Sequence, residues 1–281
     1  MFQANLLANK KILVTGGGTG IGKGVVANAL SLGAELVICG RRKDVLDATA
    51  AELMATHGGN VSAHQCDIRD AEAVDAMLTA IWQQGPLDAL VNNAAGNFIA
   101  RSEELSPRAV DAVLNIVMHG TAYVTLGCGR RWLQAGHRGN VVSIVTTYAS
   151  TGSAYVLPSA MAKAAVLSMT RSLAVEWGGR GVRLNAIAPG PFPTEGAWER
   201  LVPKAELAQR FEQKNPLKRP GDIAELANLV AYLLADQSAY INGEVVTIDG
   251  GEWLQGAGQF NFIGEMMTEQ DWQNLKPKKK S

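Results

Sequence analysis

The sequence predicts an α/β protein built on one doubly wound parallel sheet with helices on both faces. Short apolar segments alternate with helical segments along almost the whole chain. Most of the apolar segments are continuously hydrophobic, which is typical of parallel strands buried on both faces. A glycine-rich turn joins the first strand to the first helix. Right-handed crossovers between such units give a doubly wound sheet.

The strands and helices are expected in a regular order. Short runs rich in Val, Ile, Leu and Ala, bounded by turn residues, predict seven strands. They are Lys11–Thr15, Glu35–Cys39, Val61–Cys66, Leu87–Val91, Asn140–Thr147, Val182–Ile187 and Glu244–Ile248. Longer segments with apolar residues at helical spacing predict the main helices. They are Ile21–Leu32, Asp44–His57, Ala71–Gln83, Pro107–Gln134, Ser159–Trp177 and Ile223–Leu234.

The chain is expected to form a single domain over residues 1–281, because no Pro-, Gly- or Ser-rich linker divides it. Residues of about 193–220 interrupt the alternation and carry many charges. We interpret them as a helical flap beside the active site. Residues of about 252–281 form an extension without a clear pattern.

Composition narrows the class of protein. With 47% hydrophobic and 19% charged residues and a formal net charge of zero, the chain has no global feature of a nucleic-acid or membrane-surface binder. Its three separated cysteines favour a reducing compartment over a disulfide framework. The first strand begins by Lys11 and no apolar run is expected to span a bilayer, so a cytoplasmic enzyme is expected. The four histidines show no metal-ligand spacing, and no metal is expected.

The glycine-rich turn predicts a dinucleotide site. Its glycines follow a Gly-x-x-x-Gly-x-Gly spacing at the end of the first strand, as in a Rossmann fold. Glycines let the backbone turn tightly and approach a pyrophosphate, which then lies at the helix N-terminus. A purely structural turn is the alternative. The residues expected to contact the cofactor here are Gly16, Gly18, Thr19, Gly20, Ile21 and Gly22.

The end of the second strand favours NADPH as the cofactor. NAD-binding chains commonly place Asp or Glu there to bind the ribose 2′-hydroxyl. This chain has Arg41, Arg42 and Lys43 and no acid. The planar guanidinium of Arg41 suits a 2′-phosphate, whereas Arg42 and Lys43 also fit a solvated surface. Asp67, after the third strand, can accept a hydrogen bond from the adenine amino group.

Taken together, these motifs resemble the short-chain dehydrogenase/reductase family over roughly residues 8–251. The resemblance rests on Thr15–Gly22, Asp67, Asn92–Gly96, Lys163 and Pro189–Pro191 in that order. It implies a Rossmann fold and a nicotinamide cofactor. It also implies further cofactor contacts at Ile68, Asn93, Lys163, Pro189, Gly190, Pro191 and Phe192.

The chain departs from the family at one position. Most members carry Tyr-x-x-x-Lys on the long helix, one helical turn apart. Here Ser159 occupies the tyrosine position before Lys163, and Tyr148 lies upstream of the helix. This arrangement is similar to the NADPH-dependent 2,4-dienoyl-CoA reductases, as are the segments Asn93–Ile99 and Val156–Lys163. That resemblance implies a catalytic set of Tyr148, Asn97, Lys163 and Ser159.

The resemblance also implies the substrate and the assembly. The substrate would be a fatty acyl-CoA, reduced to a trans-3-enoyl-CoA in the β-oxidation of unsaturated fatty acids. The implied substrate contacts are Arg69, Phe98, Ser106 and Arg200. A homotetramer is implied, with Pro107–Gln134 and Ser159–Trp177 as the natural interface.

Two other functions remain open. One is another short-chain reductase of enoyl or 3-oxoacyl thioesters. Keto reduction needs a proton donated to the carbonyl oxygen, and Ser159 is a weak acid for that role. The other is a non-catalytic scaffold that binds nucleotide, which the intact Lys163, Asn97 and glycine turn disfavour.

Overall fold

The computed structural model describes residues 3–195, 201–202, 204–257, 259–261 and 263–275. Its centre is a seven-stranded sheet in the order β3-β2-β1-β4-β5-β6-β7. Every neighbouring pair is parallel, as the continuous apolar runs predict. The prediction of a doubly wound parallel sheet is confirmed. That the chain forms one domain stays a prediction.

The strands and helices have the following bounds. The strands are β1 Lys11–Thr15, β2 Glu35–Gly40, β3 Val61–Gln65, β4 Ala89–Asn92, β5 Gly139–Ile144, β6 Val182–Pro189 and β7 Val245–Ile248. The longer helices are α1 Gly20–Ser31, α2 Lys43–His57, α3 Ala71–Gln83, α4 Pro107–Leu114, α5 Thr121–Ala135, α6 Leu157–Gly178, α7 Ala205–Lys214 and α8 Ile223–Leu234. Three short helices follow: α9 Glu252–Ala257, α10 Ile263–Met266 and α11 Glu269–Asn274.

Two apolar layers enclose the sheet, one on each face. In β1, Ile12 and Val14 are buried in a cluster with residues of α1, α2 and α8. Leu13, between them, is buried in a second cluster with residues of α3, α5 and α6. Successive side chains of a strand point to opposite faces, so burial on both faces requires an apolar residue at every position. This explains the continuous hydrophobic pattern of the strands.

The long segment Pro107–Ala135 is helical throughout but not uniform. A π-helical stretch, Asn115–Gly120, joins α4 to α5, and such stretches are frequently found at functional sites. By length and composition the whole segment is apolar enough to cross a membrane. The expectation that no run would reach that length is therefore wrong. Val124 and Trp132 of α5 are fully buried in the cluster against the sheet, which accounts for part of the apolar composition.

One other expectation needs correction. The fifth strand ends at Ile144 instead of Thr147, and the chain turns into a 3₁₀ segment, Thr147–Ala149. The turn is closed by the Ala149 N–H, which donates to the Thr146 carbonyl at 3.1 Å. The C-terminal extension, for which no pattern was evident, forms the three short helices. Within residues 193–220, α7 is helical, and residues 196–200 and 203 lie outside the described residues; that this segment is a flap beside the active site stays a prediction.

Candidate active site

The predicted site residues lie at the carboxyl edge of the sheet. The glycine turn follows β1, Asn93 and Asn97 follow β4, and Tyr148 follows β5. Parallel strands bring all their carboxyl ends to one edge, and the strand order reverses between β1 and β4. Such a reversal opens a crevice in which ligands bind. The topology thus gathers segments that are far apart in sequence.

The glycine turn packs too tightly for side chains. Gly16 has a φ of 66°, a left-handed conformation that favours glycine. A Cβ on Gly22 would lie 2.3 Å from the Gly16 carbonyl oxygen. Thr19, the residue preceding α1, forms no side-chain cap to the helix. The first N–H groups of α1 are therefore not capped by Thr19, which suits an anion such as a pyrophosphate.

Asn93 holds the glycine turn in place through hydrogen bonds. Its side-chain amide donates to the carbonyl oxygens of Thr15 at 3.0 Å and of Gly16 at 3.3 Å. The Thr15 hydroxyl in turn accepts from the backbone N–H groups of Asn93 and Ala94, both at 3.0 Å. The side-chain amide of Asn93, which was expected to contact the cofactor, is committed to shaping the turn that would hold it.

The segment after β6 lies beside the same turn. A Cβ on Gly20 would lie 3.3 Å from the Thr194 side chain. Phe192 is buried, and its ring packs so closely on Gly221 that no side chain fits there. Gly190 donates to the Ile248 carbonyl at 3.0 Å and so joins this segment to β7. Pro189, Gly190 and Pro191 thus form a fixed wall of the crevice.

The part of the crevice next to the ends of β2 and β3 carries three charged groups. Arg41 follows β2, and among the described residues its guanidinium has no hydrogen bond or ion pair. Asp67 forms a two-pronged ion pair with Arg69, whose Nε lies 2.9 Å from Oδ1 and 3.0 Å from Oδ2. Hydrogen bonding to Arg69 lowers the pKa of the Asp67 carboxyl, with a smaller contribution from Arg41. Ile68, also expected to contact the cofactor, is buried against Gly120.

The displaced tyrosine meets two of its predicted partners. The Asn97 side-chain amide donates to the Tyr148 hydroxyl at 3.3 Å. That hydroxyl lies 3.2 Å from the Ser159 Oγ, and either group can donate. Ser159 is 3% exposed, so its hydroxyl faces the interior and not solvent. One phenol, one amide and one hydroxyl therefore converge, and we refer to Tyr148, Asn97 and Ser159 as the polar trio.

Lys163 lies one turn after Ser159 on α6 and is buried. Its Nζ donates a short hydrogen bond to the carbonyl oxygen of Ile144, the last residue of β5. Burial disfavours the charged form and lowers the pKa of Lys163 to about 8. The ammonium is therefore held at the carboxyl end of β5, and it loses its proton at a lower pH than an exposed lysine does.

The predicted substrate contacts are less closely gathered. Phe98 is half-buried against an apolar cluster with members from α4, the π-helical stretch, α6 and β6. Ser106 caps the N-terminus of α4, where its Oγ accepts from the Ala109 N–H at 3.2 Å. Arg69 is paired with Asp67, as described above. Arg200 lies outside the described residues.

The structure adds two polar groups to those that the sequence indicated. The Thr146 hydroxyl, two residues before Tyr148, is buried without a hydrogen-bond partner in the described chain. Asn215, which follows α7 in the flap, is buried, and its amide donates to the carbonyl of Asp249, directly after β7, at 2.8 Å. Thr146 was missed because it fell inside the predicted strand Asn140–Thr147, whereas β5 ends two residues before it. Asn215 had no signal, because its partners are distant in sequence.

Comparison with known proteins gives a consistent assignment. The family model described as Enoyl-(Acyl carrier protein) reductase matches residues 16–252. A Caenorhabditis elegans protein named probable 2,4-dienoyl-CoA reductase 3, (3E)-enoyl-CoA-producing, is 43% identical over 251 residues, covering 88% of this chain and 81% of that protein. A Bacillus subtilis (strain 168) protein named probable 2,4-dienoyl-CoA reductase, (2E)-enoyl-CoA-producing, is 42% identical over 250 residues, covering 88% and 98%.

A solved structure agrees with these relatives. The crystal structure of a short chain dehydrogenase from Bacillus anthracis superposes with a TM-score of 0.80 at 40% identity, covering 89% of this chain and 98% of that chain. The fold, the order of the motifs and these similarities lead to one conclusion. The chain belongs to the short-chain dehydrogenase/reductase family.

Proposed function

We propose that this chain is an NADPH-dependent 2,4-dienoyl-CoA reductase that produces a trans-3-enoyl-CoA. The observation that carries the proposal is the polar trio, in which the phenol comes from the β5–α6 loop and Ser159 occupies the helix position. The relatives named as 2,4-dienoyl-CoA reductases support the substrate class. NADPH is supported by Arg41, since the three residues that follow β2 are basic and none is Asp or Glu.

The residues present fit a nicotinamide dinucleotide. The tight glycine turn and the start of α1 would receive the pyrophosphate, and Arg41 would pair with the 2′-phosphate. Asp67 would accept from the adenine amino group, and Lys163 would bind the nicotinamide ribose. When bound, this cofactor supplies a hydride to the δ carbon of the dienoyl thioester.

The polar trio would stabilise the charge that develops on the thioester oxygen. The Tyr148 hydroxyl and the Asn97 amide are both hydrogen-bond donors, and their 3.3 Å separation allows them to address one oxygen. Donors that are already in place stabilise a developing oxyanion without reorganisation. Ser159, 3.2 Å from Tyr148, would hold a water beside the thioester end. That water would protonate the α carbon, which leaves the remaining double bond at the 3 position, and the resulting hydroxide would take up a proton from solvent.

Substrate comparison tests this reaction against its rivals. Purified protein is given NADPH with hexadienoyl-CoA, crotonyl-CoA or acetoacetyl-CoA, and oxidation of NADPH is followed by absorbance. The proposal expects consumption with the diene alone. Faster turnover of crotonyl-CoA or acetoacetyl-CoA would indicate an enoyl or 3-oxoacyl reductase. No turnover of any thioester, with NADPH still bound, would indicate a nucleotide-binding scaffold.

The position of the product double bond needs its own test, because the two relatives differ in the product that their names give. In deuterated water, protonation at the α carbon places deuterium there and leaves a 3-enoyl product. Protonation at the γ carbon gives a 2-enoyl product instead. Magnetic resonance of the isolated product distinguishes the two, and a 2-enoyl product would refute the role of the water at Ser159.

We further propose a cytoplasmic homotetramer that acts in unsaturated fatty acid β-oxidation. The outer faces of α5 and α6 support the assembly, since an apolar groove there is lined by Met118, Leu126 and Met169 among others. An exposed apolar patch of this kind is typical of an interface. Light scattering tests the assembly, with Leu126→Glu expected to lower the mass. Leu254→Glu, at an exposed position in α9, is the matched control.

A further inference from the structure

Two large hydrophobic side chains close in sequence to members of the polar trio are exposed. Tyr155 is 61% exposed and Ile99 is 47% exposed. Ile99 lies two residues after Asn97, and Tyr155 lies four residues before Ser159. Both therefore belong to segments that carry a member of the trio. Single exposed apolar residues are ordinary, so exposure alone assigns them no role.

A backbone hydrogen bond holds these two segments side by side. The Ala100 N–H, next to Ile99, donates to the Tyr155 carbonyl oxygen at 3.0 Å. At the other end of the same loop, the Gly152 N–H donates to the Tyr148 carbonyl oxygen at 2.9 Å. The first bond ties the loop between β5 and α6 to the segment that carries Asn97, and the second closes a turn within the loop itself. The backbones that carry Ile99 and Tyr155 are thus held together, and we refer to these two residues as the rim.

The backbone of Tyr155 is strained. Its φ is 66°, in the left-handed region that bulky residues rarely occupy. Of the described non-glycine residues with positive φ, Tyr155 is the one with an aromatic side chain, whereas Asn5 and Asn9 are of a type that tolerates this region. A mostly exposed ring adds little packing to offset the strain. Strain kept at the edge of a site is a reason to look for a functional role of the side chain.

We propose that Tyr155 and Ile99 form the surface on which the distal part of the substrate's acyl chain lies, and that they give a preference for longer dienoyl thioesters. The inference rests on the proposed function. Its occupant is apolar, because the acyl chain beyond the diene is saturated hydrocarbon. In the proposed function Tyr148 and Asn97 hold the thioester oxygen, and Ile99 lies two residues after Asn97. We therefore place the acyl chain of the substrate against the Ile99 and Tyr155 side chains.

The test compares two chain lengths in three variants. Tyr155→Asn removes the ring and suits the left-handed backbone, so the fold is preserved. It should lower kcat/KM for decadienoyl-CoA about tenfold, which corresponds to the burial of roughly two methylene groups. With hexadienoyl-CoA, kcat/KM should stay within about twofold, as a shorter chain gains less from the rim. Tyr155→Phe should retain the preference. Tyr240→Asn, at a fully exposed tyrosine, is the matched control and should change neither value.

Thermal unfolding separates a functional from a structural role. Relief of strain should leave the melting temperature of Tyr155→Asn at or above that of the wild type. Equal losses with both substrates, or an unchanged preference, would overturn the inference, and a lower melting temperature would show that the ring serves packing. A wild-type protein that does not reduce hexadienoyl-CoA would refute the proposed function itself, which is a different result from a lost chain-length preference.

Discussion

Replacing Tyr148 with Phe removes one hydroxyl and keeps the ring. In the resting structure that hydroxyl has two hydrogen bonds, of 3.3 Å to Asn97 and 3.2 Å to Ser159. Both are at the long end of the usual range and join neutral groups, so their loss should cost about 1 kcal/mol of stability in total. An oxyanion donor is worth more, roughly 10²–10³ in rate. The large effect is therefore expected in catalysis and not in folding.

The assay separates chemistry from cofactor binding. We expect Tyr148→Phe to lower kcat with hexadienoyl-CoA roughly 10²- to 10³-fold, because the charge grows only in the transition state. The Kd for NADPH, measured by fluorescence titration, should change less than about twofold, since an interaction confined to the transition state leaves binding unaffected. Asn97→Ala should have an effect like that of Tyr148→Phe. The double variant should lose less than the product of the two effects, because both donors serve one oxygen.

Ser159→Ala provides the contrast. Ser159 is expected to hold water and not to donate the essential proton, so its loss should be milder than that of the Tyr148 hydroxyl. A Tyr148→Phe enzyme with near wild-type kcat, together with an inactive Ser159→Ala enzyme, would refute the reasoning. The helix position would then have kept the chemistry that the family usually places there.

Three further predictions concern the cofactor crevice. Arg41→Ala should weaken the binding of NADPH by about 1.5–3 kcal/mol and that of NADH much less. Equal losses for the two cofactors, measured by titration, would refute the contact with the 2′-phosphate. Gly22→Ala should abolish dinucleotide binding, since its Cβ would lie 2.3 Å from the Gly16 carbonyl oxygen. Gly179→Ala, at a position with open space around it, is the control. An unchanged NADPH affinity of Gly22→Ala would contradict the prediction. Lys163→Met tests the lowered pKa of Lys163, which is about 8 in the folded state against an ordinary 10.5. Below pH 8 the folded wild type carries the full cost of the buried charge, and between pH 8 and 10.5 the folded state loses the proton while the unfolded state keeps it. The free energy of unfolding of the wild type, relative to that of the variant, should therefore rise by about 3 kcal/mol over this range in denaturant unfolding. A difference that stays constant with pH would contradict the prediction.

Local signals decided which parts of the fold were predictable. The bounds of α3 and α8 agree with the prediction residue for residue, and each helix begins after an aspartate whose side chain caps it. The end of β5 was misplaced because Val145 is as apolar as the strand before it. The register with β6 shows where pairing ends: Ile144 is the last residue with a partner in β6, and the Val145 N–H makes the final bond, to the Ile187 carbonyl, before the chain turns.

Side-chain partners across the site were less predictable than its location. Motif order placed the crevice, because strand ends must meet at one edge of a parallel sheet. The sequence did not indicate that the Asn93 amide would bond to Thr15 and Gly16, or that Asn215 would bond to Asp249, because each pair is far apart in the chain. Ser106, directly before Pro107 at a predicted helix start, is by contrast a recognisable helix cap. Hydrophobic periodicity carries no information about partners that only the fold brings together.

The displacement of the tyrosine also bears on the class of reaction. Among the described residues, Tyr148 bonds to Asn97 and Ser159, while Lys163 bonds to the Ile144 carbonyl. The phenol therefore shares its hydrogen bonds with neutral groups and has no direct bond to the buried ammonium. Keto reduction must deliver a proton to oxygen, which favours a phenol coupled to a cation. Conjugate reduction of a dienoyl thioester delivers its proton to carbon and requires only hydrogen-bond donors at the oxygen. An uncoupled phenol beside an amide donor meets the second requirement and not the first, which favours the dienoyl-CoA reductase over a 3-oxoacyl reductase.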